Sequence, residues 1–255
     1  MNNKLIEKRY SRNRIYLRAE EQLFIKSHKI LLAGAGIGSN IAECALRFGF
    51  ESLTIVDGDL VEESNLNRQN YQMQDIGKPK AEALKKRLLN INPQANIMAI
   101  STFIDDTNVE ELLKGQDIAV NALDFKSEIP FVFDECCQKH HIPVIHPYNL
   151  GWIGLVVVVM PGGNQLREVS DNWENFEVKF VEHLIHDFNL KIQPESGFEE
   201  IITQFKNEKE ILPPPQLSVA SWIVAGLCTN LMFYIATGLE VKQYPQFYMA
   251  SALFP

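Results

Sequence analysis

The stretch KILLAGAGIGSN, residues 29–40, gives the strongest indication of the fold in this sequence. Its apolar first half predicts a buried strand, and the three glycines that follow allow a tight turn into a helix beginning near residue 38. A strand, a glycine-rich turn and a helix in this order open a βαβ unit, and the free N–H groups at the start of such a helix suit phosphate oxygens. The turn therefore predicts a phosphate contact at Gly34, Gly36 and Gly38. Taken alone it is a weak signal, because an ordinary strand-to-helix connection uses the same residues.

The alternation of strand and helix continues beyond this unit. Apolar runs predict strands at 52–59, 95–101, 117–124 and 142–147, and apolar residues at helical spacing predict helices at 38–48, 80–90, 107–114 and 127–140. The strand runs are apolar throughout, which is typical of parallel strands covered on both faces. We therefore expect an α/β fold: a Rossmann-like, doubly wound, mostly parallel sheet with helices on both faces and a helical insertion.

Changes in composition divide the chain into four segments. We expect an N-terminal helical arm over 1–28, a Rossmann-like nucleotide-binding core over 29–164, a helical insertion for substrate recognition over 165–215, and a buried helix and strand over 216–255 that complete the core. The uncharged stretch within the last segment is long enough to cross a membrane. Its asparagine and hydroxyl residues, and its isolation in an otherwise polar chain, favour a core or subunit-interface helix, so no membrane partner is expected.

Composition excludes several classes of function. The chain has 255 residues, 46% of them hydrophobic, and a formal net charge of -8, which argues against coating a nucleic acid. None of the four cysteines forms a CxxC pair, so no zinc site is expected, and nothing suggests a disulfide framework. The N-terminus has no apolar signal-peptide core, and we expect a cytoplasmic protein.

An acidic residue follows the second predicted strand. Asp57 lies 23 positions after Gly34, where a carboxylate accepts hydrogen bonds from ribose hydroxyls. The glycine turn and Asp57 together predict a nucleoside with phosphates. They leave NAD, FAD, ATP and S-adenosylmethionine open.

The stretch SNLNRQ, residues 64–69, favours a triphosphate. Arg68 can grip phosphate oxygens through its planar guanidinium, and Asn65 and Gln69 add neutral hydrogen-bonding groups. Lys80 starts the next predicted helix, an unfavourable end for a cation unless an anion lies beside it. Arg68 and Lys80 together carry more positive charge than a dinucleotide pyrophosphate requires, so we predict ATP.

Carboxylates are expected at the same edge of the sheet. Asp124 is predicted to end the fourth strand, and ligands of open parallel sheets gather at the carboxyl ends of strands. A carboxylate opposite a triphosphate predicts a Mg²⁺ ligand. Asp59 is a second candidate near the cofactor, with an exposed loop acid as the equal alternative.

The motifs together resemble a known family. RYSRN (9–13), GAGIGSN, TIVDGD, SNLNRQ, GKPK and NALDF stand in the order and approximate spacing of the ThiF/MoeB/HesA group, the bacterial relatives of ubiquitin-activating enzymes. The resemblance covers about residues 5–160 and resumes near the C-terminus. It implies an enzyme that uses ATP and Mg²⁺ to adenylate the C-terminal carboxylate of a small ubiquitin-fold carrier protein or a peptide.

The resemblance also assigns roles residue by residue. It implies that Asp57 binds ribose, that Asn65, Arg68 and Lys80 contact the phosphates, and that Asp124 binds magnesium. Arg12, in RYSRN, resembles an arginine that reaches the active site of a partner subunit, which implies a homodimer. No cysteine lies in the insertion, so we expect adenylation without an enzyme thioester.

Three alternatives stay open. The chain could act on a precursor peptide rather than a ubiquitin-fold carrier. It could be a non-catalytic ThiF-like partner subunit, although the combined phosphate-binding and acidic residues argue against this. A nicotinamide dehydrogenase would explain the glycine turn and Asp57 but not the cations.

Overall fold

The structure is a computed structural model that describes residues 7–170, 172–174, 176–187, 203–205, 207–208 and 214–252. Its centre is a seven-stranded sheet in the order β3-β2-β1-β4-β5-β6-β7. The strands are β1 Lys29–Ala33, β2 Ser52–Val56, β3 Asn96–Ile100, β4 Ile118–Asn121, β5 Val144–Leu150, β6 Ile153–Val159 and β7 Phe247–Ala250.

The direction of the strands confirms the predicted topology. Strands β1 to β5 pair in parallel, and β6 and β7 extend the sheet in antiparallel register. The strand order reverses between β1 and β4, which is the switch point where open α/β sheets bind ligands. The sheet is thus mostly parallel, as expected.

Helices cover both faces of the sheet. They are α1 Ala19–Ser27, α2 Gly38–Phe48, α3 Lys80–Ile91, α4 Val109–Leu113, α5 Ile129–Lys139, α6 Phe176–Asp187 and α7 Ser218–Ala236. One buried apolar cluster joins the sheet to α1, α2, α3 and α7, and a second joins the other face to α4, α5 and α6. The two clusters confirm a doubly wound architecture, because each face of the sheet buries its own set of apolar side chains.

The N-terminal arm is fastened to the core by polar contacts. A 3₁₀ turn at Lys8–Asn13 precedes α1, and residues 1–6 lie outside the described part of the chain. The hydroxyl of buried Tyr10 donates to Glu51 Oε1 at 2.8 Å, and Asn13 Nδ2 donates to the Phe48 carbonyl at 2.9 Å. These bonds hold the arm against the end of α2 and the start of β2.

The apolar helix predicted near the C-terminus is α7. By length and composition it could cross a membrane, yet half of its most apolar window is buried inside the structure. Its buried residues include Ala220, Val224, Cys228 and Leu231, and it packs against α2, β5 and β6. Burial along one side makes α7 a helix of the α/β core.

The insertion is described in part. Helix α6, Phe176–Asp187, lies within the helical insertion expected over 165–215. Most of the insertion beyond Asp187 lies outside the described residues. Helix α6 docks through the fully buried rings of Phe176 and Phe180.

Candidate active site

The site is built around the switch point, where the chain leaves β1 and β4. Gly34 follows β1 with φ at +94°, and a Cβ on it would lie 2.5 Å from the Ala122 carbonyl oxygen. Only glycine combines that backbone conformation with that approach. The predicted glycine turn therefore brings the N-terminus of α2, at Gly38, beside the loop that carries Asp124.

Asp57 closes the turn from the side of β2. Its Oδ2 accepts a hydrogen bond from the Ala35 backbone N–H at 2.6 Å, and its Oδ1 accepts one from the Asp59 backbone N–H at 2.7 Å. Burial raises the pKa of Asp57, and the two backbone bonds and nearby Lys80 oppose this shift. Each oxygen keeps a second lone pair, so the carboxylate can still accept bonds from ribose hydroxyls.

Lys80 and Asp59 form an ion pair at the start of α3. Lys80 Nζ lies 2.9 Å from Asp59 Oδ2, and the two side chains are 9% and 52% exposed. The Lys80 backbone N–H also donates to the Asp59 carbonyl at 2.9 Å. An ammonium group has three N–H donors, so Lys80 can hold Asp59 and still donate to a phosphate.

Arg68 is held in a defined orientation. Its Nε donates to Gln216 Oε1 at 2.6 Å, and its Nη1 donates to the Ser64 carbonyl at 2.9 Å and to Asn67 Oδ1 at 2.8 Å. Partial burial lowers the pKa of Arg68, and nearby Asp124 opposes that shift. Within the described part of the chain Nη2 makes no hydrogen bond. A phosphate can therefore bind the guanidinium through Nη2, while Nε and Nη1 already donate to groups of the chain.

Hydrogen bonds within the chain hold the rest of the SNLNRQ loop and the residue after it. Asn65 is buried, and its Oδ1 accepts the Glu62 backbone N–H at 3.0 Å, so this oxygen shapes the loop. Asn70 bonds the Ser39 hydroxyl and Glu43 on α2. The direct phosphate contact predicted for Asn65 stays a prediction for its Nδ2 group.

Gln69 marks a place for a ligand. Its Oε1 is buried without a hydrogen-bond partner, and its Nε2 lies 3.3 Å from where a Cβ on Gly36 would be. A buried polar atom without a partner is costly unless something outside the chain satisfies it. Its position beside the glycine turn fits a bound nucleotide.

Asp124 lies past the end of its strand. Strand β4 ends at Asn121, so the prediction that Asp124 ends the strand is wrong by three residues. The Asn121 side chain is buried and donates to Asp134 and to the Pro130 carbonyl, which turns the chain out of the sheet. Asp124 is exposed at this edge and accepts a hydrogen bond from Lys126 Nζ at 2.6 Å.

The carboxylates at this edge fit a magnesium ion carried by phosphates. Within the described ranges no group of three His, Cys, Asp or Glu side chains could hold a metal. Mg²⁺ usually takes one or two protein carboxylates and completes its shell with waters and substrate phosphates. Asp124 and Asp59 both lie near Lys126, so this edge carries two carboxylates of the kind that Mg²⁺ takes.

Arg12 stands apart from the other predicted residues. It is exposed on the 3₁₀ turn of the N-terminal arm and makes no ion pair with any residue that the structure describes. The structure thus joins the glycine turn, Asp57, Asp59, Arg68, Lys80 and Asp124 in one place. It leaves Arg12 free to face another molecule.

Sequence reasoning missed Glu177. The ring of Phe125 stacks on Phe176 with centroids 4.4 Å apart, so the first turn of α6 lies beside Asp124. Burial, and then the charge of Asp124, raise the pKa of Glu177 to about 7. The only sequence signal was two phenylalanines one helical turn apart beside a glutamate, which is too common to point to a site.

The four cysteines do not contribute nucleophiles here. Burial is the main cause that raises the pKa of each thiol, to about 11 for Cys136. A thiol with a raised pKa carries little thiolate at neutral pH and is a weak nucleophile. All four side chains lie in or against the two apolar clusters, so they act as packing residues.

Comparison with known proteins finds relatives of this chain by sequence. The chain is 30% identical over 159 residues to the SAMP-activating enzyme E1 of Haloferax volcanii, covering 61% of this chain and 58% of that protein. It is 33% identical over 160 residues to the sulfur carrier protein ThiS adenylyltransferase of Bacillus subtilis, covering 60% and 47%. The chain thus matches 58% of the length of the first relative and 47% of the second.

Solved structures share the fold over nearly the whole chain. The crystal structure of E. coli MccB with ATP superposes with a TM-score of 0.69 at 20% identity, covering 98% of this chain and 73% of that one. PaaA superposes with a TM-score of 0.68 at 20% identity, covering 99% and 82%. The model of the ThiF family matches residues 10–253, from the N-terminal arm through the switch point to the last strand, and the chain therefore belongs to the ThiF family.

Proposed function

We propose that the chain is an adenylyltransferase that uses ATP to activate the C-terminal carboxylate of a small protein or peptide as an acyl-adenylate. The observation that carries this proposal is the convergence of Arg68, Lys80 and Asp124 on the glycine turn at the switch point. The names of the curated relatives support the same chemistry, since they include adenylyltransferases and an activating enzyme.

The reaction is a displacement at the α-phosphorus of ATP. A carboxylate oxygen of the donor forms a new bond to that phosphorus while the bond to the bridging oxygen breaks, and the electron pair leaves with pyrophosphate. The donor is already ionised at neutral pH, so no general base is required. The chain's task is to position the reactants and to stabilise charge on the leaving group.

Each element of the site has a part in that task. Asp57 holds the ribose, and the N–H groups of the glycine turn and of the start of α2 bind the phosphates. The Nη2 of Arg68 and the free donors of Lys80 face the leaving pyrophosphate. Each cation contributes about 2–4 kcal/mol to transition-state stabilisation.

Asp124 would hold Mg²⁺, which supplies positive charge to the phosphate oxygens when bound. In this structure Lys126 forms an ion pair with Asp124. Metal binding at Asp124 would break that pair. Both side chains are largely exposed, at 67% and 82%, so the pair is weak and readily exchanged.

We further propose a homodimer in which Arg12 completes the site of the partner. The arm beside Arg12 presents Ile15, 93% exposed with φ at +79°, and Tyr16, 87% exposed. A β-branched residue in that conformation with an exposed apolar side chain is unusual for a surface that faces only water. Both features support a contact with a second copy.

Mixing two inactive variants tests the shared site. When Arg12→Ala and Asp124→Ala chains exchange freely, half of the dimers are mixed and each carries one intact site. About a quarter of wild-type activity should return. Recovery of nothing after proven subunit exchange would count against an arm that acts in trans.

Exchange of labelled pyrophosphate into ATP, run with candidate carboxylate donors, tests the main proposal. The panel should hold sulfur-carrier and ubiquitin-fold proteins and short peptides, since the relatives' names include ThiS and the MccB structures include MccA. Exchange with a peptide alone would favour the peptide-modifying alternative. Tight ATP binding without exchange would favour the non-catalytic partner subunit, and binding of a nicotinamide cofactor instead of ATP would favour a dehydrogenase.

The four free thiols suit the cytoplasmic location that we propose.

A further inference from the structure

The segment Pro214–Leu217 precedes α7 and lies against Arg68 and β5, at the edge of the sheet that carries the proposed ATP site. Asn67 Nδ2 donates to the Gln216 carbonyl at 3.3 Å, and Asn149 Nδ2 on β5 donates to the Leu217 carbonyl at 2.8 Å. Asn149 Nδ2 also donates to the buried Ser221 hydroxyl at 2.9 Å. The backbone around Gln216 is therefore fixed from two sides of the site.

We propose that Gln216 is a positioning residue that orients Arg68 for the phosphates of ATP. Its Oε1 accepts the Arg68 Nε–H at 2.6 Å, while Ser64 and Asn67 accept bonds from Nη1. Two of the three guanidinium nitrogens are thereby bound within the chain. Nη2 is the nitrogen left for a ligand. This inference rests on the proposed use of ATP at this site.

The neutral side chain of Gln216 matters for this role. An amide oxygen holds the guanidinium without cancelling its charge, whereas a carboxylate at the same place would pair with Arg68 and compete with phosphate. Arginine side chains have many rotamers, so fixing this one before the nucleotide arrives reduces the entropy lost on binding. The bond thus preorganises a cation that stays free to act.

A double-mutant cycle on ATP binding tests the inference. Gln216→Met keeps the volume of the side chain and removes the acceptor, so the Kd for ATP with Mg²⁺, measured by calorimetry, should rise roughly tenfold. In an Arg68→Ala background the same change should alter the Kd less than about twofold, since the group it positions is gone. Gln94→Met is the matched control, because Gln94 lies exposed before β3, at the opposite end of the strand. It should bind ATP like the wild type.

Gln216→Glu separates positioning from mere support. It keeps an acceptor for Nε, so the fold and the bond should survive, yet ATP binding should weaken because the charge of Arg68 is neutralised. The Arg68 Nε–H proton, observed by NMR, should be protected from solvent exchange in the wild type and in Gln216→Glu, and unprotected in Gln216→Met. Wild-type affinity in Gln216→Glu, or no loss of protection in Gln216→Met, would refute the inference.

The outcomes are distinct from a failure of the proposed function. A wild-type chain that does not bind ATP would overturn the proposed function and, with it, any role of Gln216 toward phosphates. Equal losses of affinity in the wild-type and Arg68→Ala backgrounds would overturn the role of Gln216 alone.

Discussion

Replacing Lys80 with methionine separates the chemistry of the site from the stability of the fold. The Lys80 side chain is 9% exposed, so its charge acts on a phosphate with little solvent screening. Loss of one such charge-stabilising contact costs about 2–4 kcal/mol, which corresponds to roughly 30- to 1,000-fold in affinity or rate. We therefore expect Lys80→Met to weaken ATP binding, or to slow pyrophosphate exchange, on the order of 100-fold.

The same substitution should leave the free energy of unfolding almost unchanged. Asp59, the partner of Lys80, is 52% exposed and regains water when the pair is lost. An ion pair with one well-solvated member contributes about 0–1 kcal/mol, and methionine suits a buried position better than an ammonium group. Denaturant unfolding should therefore show a change within about 1 kcal/mol.

Lys78→Met is the matched control, from the same loop. Lys78 is 46% exposed and pairs with Asp75 at 3.4 Å, whereas Lys80 pairs with Asp59. It should bind ATP within about twofold of the wild type, as surface substitutions usually do. A folded Lys80→Met chain that binds ATP within about threefold of the wild type, or equal losses in both variants, would refute the assignment of Lys80.

Three further predictions test the glycine turn, the carboxylate of Glu177 and the thiols. Gly34→Ala should destabilise the fold by at least about 3 kcal/mol because its Cβ would meet the Ala122 carbonyl, whereas Gly77→Ala, with φ at +79° and open space, should cost only about 1 kcal/mol in the same denaturant titration; equal costs would contradict the clash. Burial raises the pKa of Glu177 from 4.5 to about 7, so between these pH values the folded chain binds one more proton than the unfolded chain. The free energy of unfolding, measured without metal or nucleotide, should therefore fall as pH rises from 4.5 to about 7. Glu177→Gln should remove that slope and stabilise the chain at pH 8 by on the order of 3 kcal/mol, and an unchanged pH profile would argue against it. Alkylation of the native chain with iodoacetamide should be slow and should not abolish pyrophosphate exchange, while rapid inactivation by one modified thiol would restore a catalytic cysteine. The thiols concerned are Cys44, Cys136, Cys137 and Cys228.

Local pattern was sufficient for the elements of the core. The helix predicted over 38–48 is found at Gly38–Phe48, and the strands follow the apolar runs because a strand buried on both faces needs an unbroken apolar sequence. Spacing from the glycine turn located Asp57, since the lengths of a strand and a helix set where the next strand ends. The strand limit beside Asp124 was misplaced, because the bonds that Asn121 makes to residues 130 and 134 depend on where α5 packs.

Contacts between residues far apart in the chain could not be read from the residues alone. The Arg68 bond to Gln216 joins positions 148 residues apart, and the sequence around Gln216 shows only prolines and a glutamine. Glu177 lies near enough to Asp124 to feel its charge because the rings of Phe125 and Phe176 stack, which depends on how α6 packs. Short-range pattern fixes which residue types line the edge of the sheet, while the number of free donors that each cation keeps depends on its neighbours in space. Those neighbours come together only when the segment before α7 and the first turn of α6 pack at this edge of the sheet.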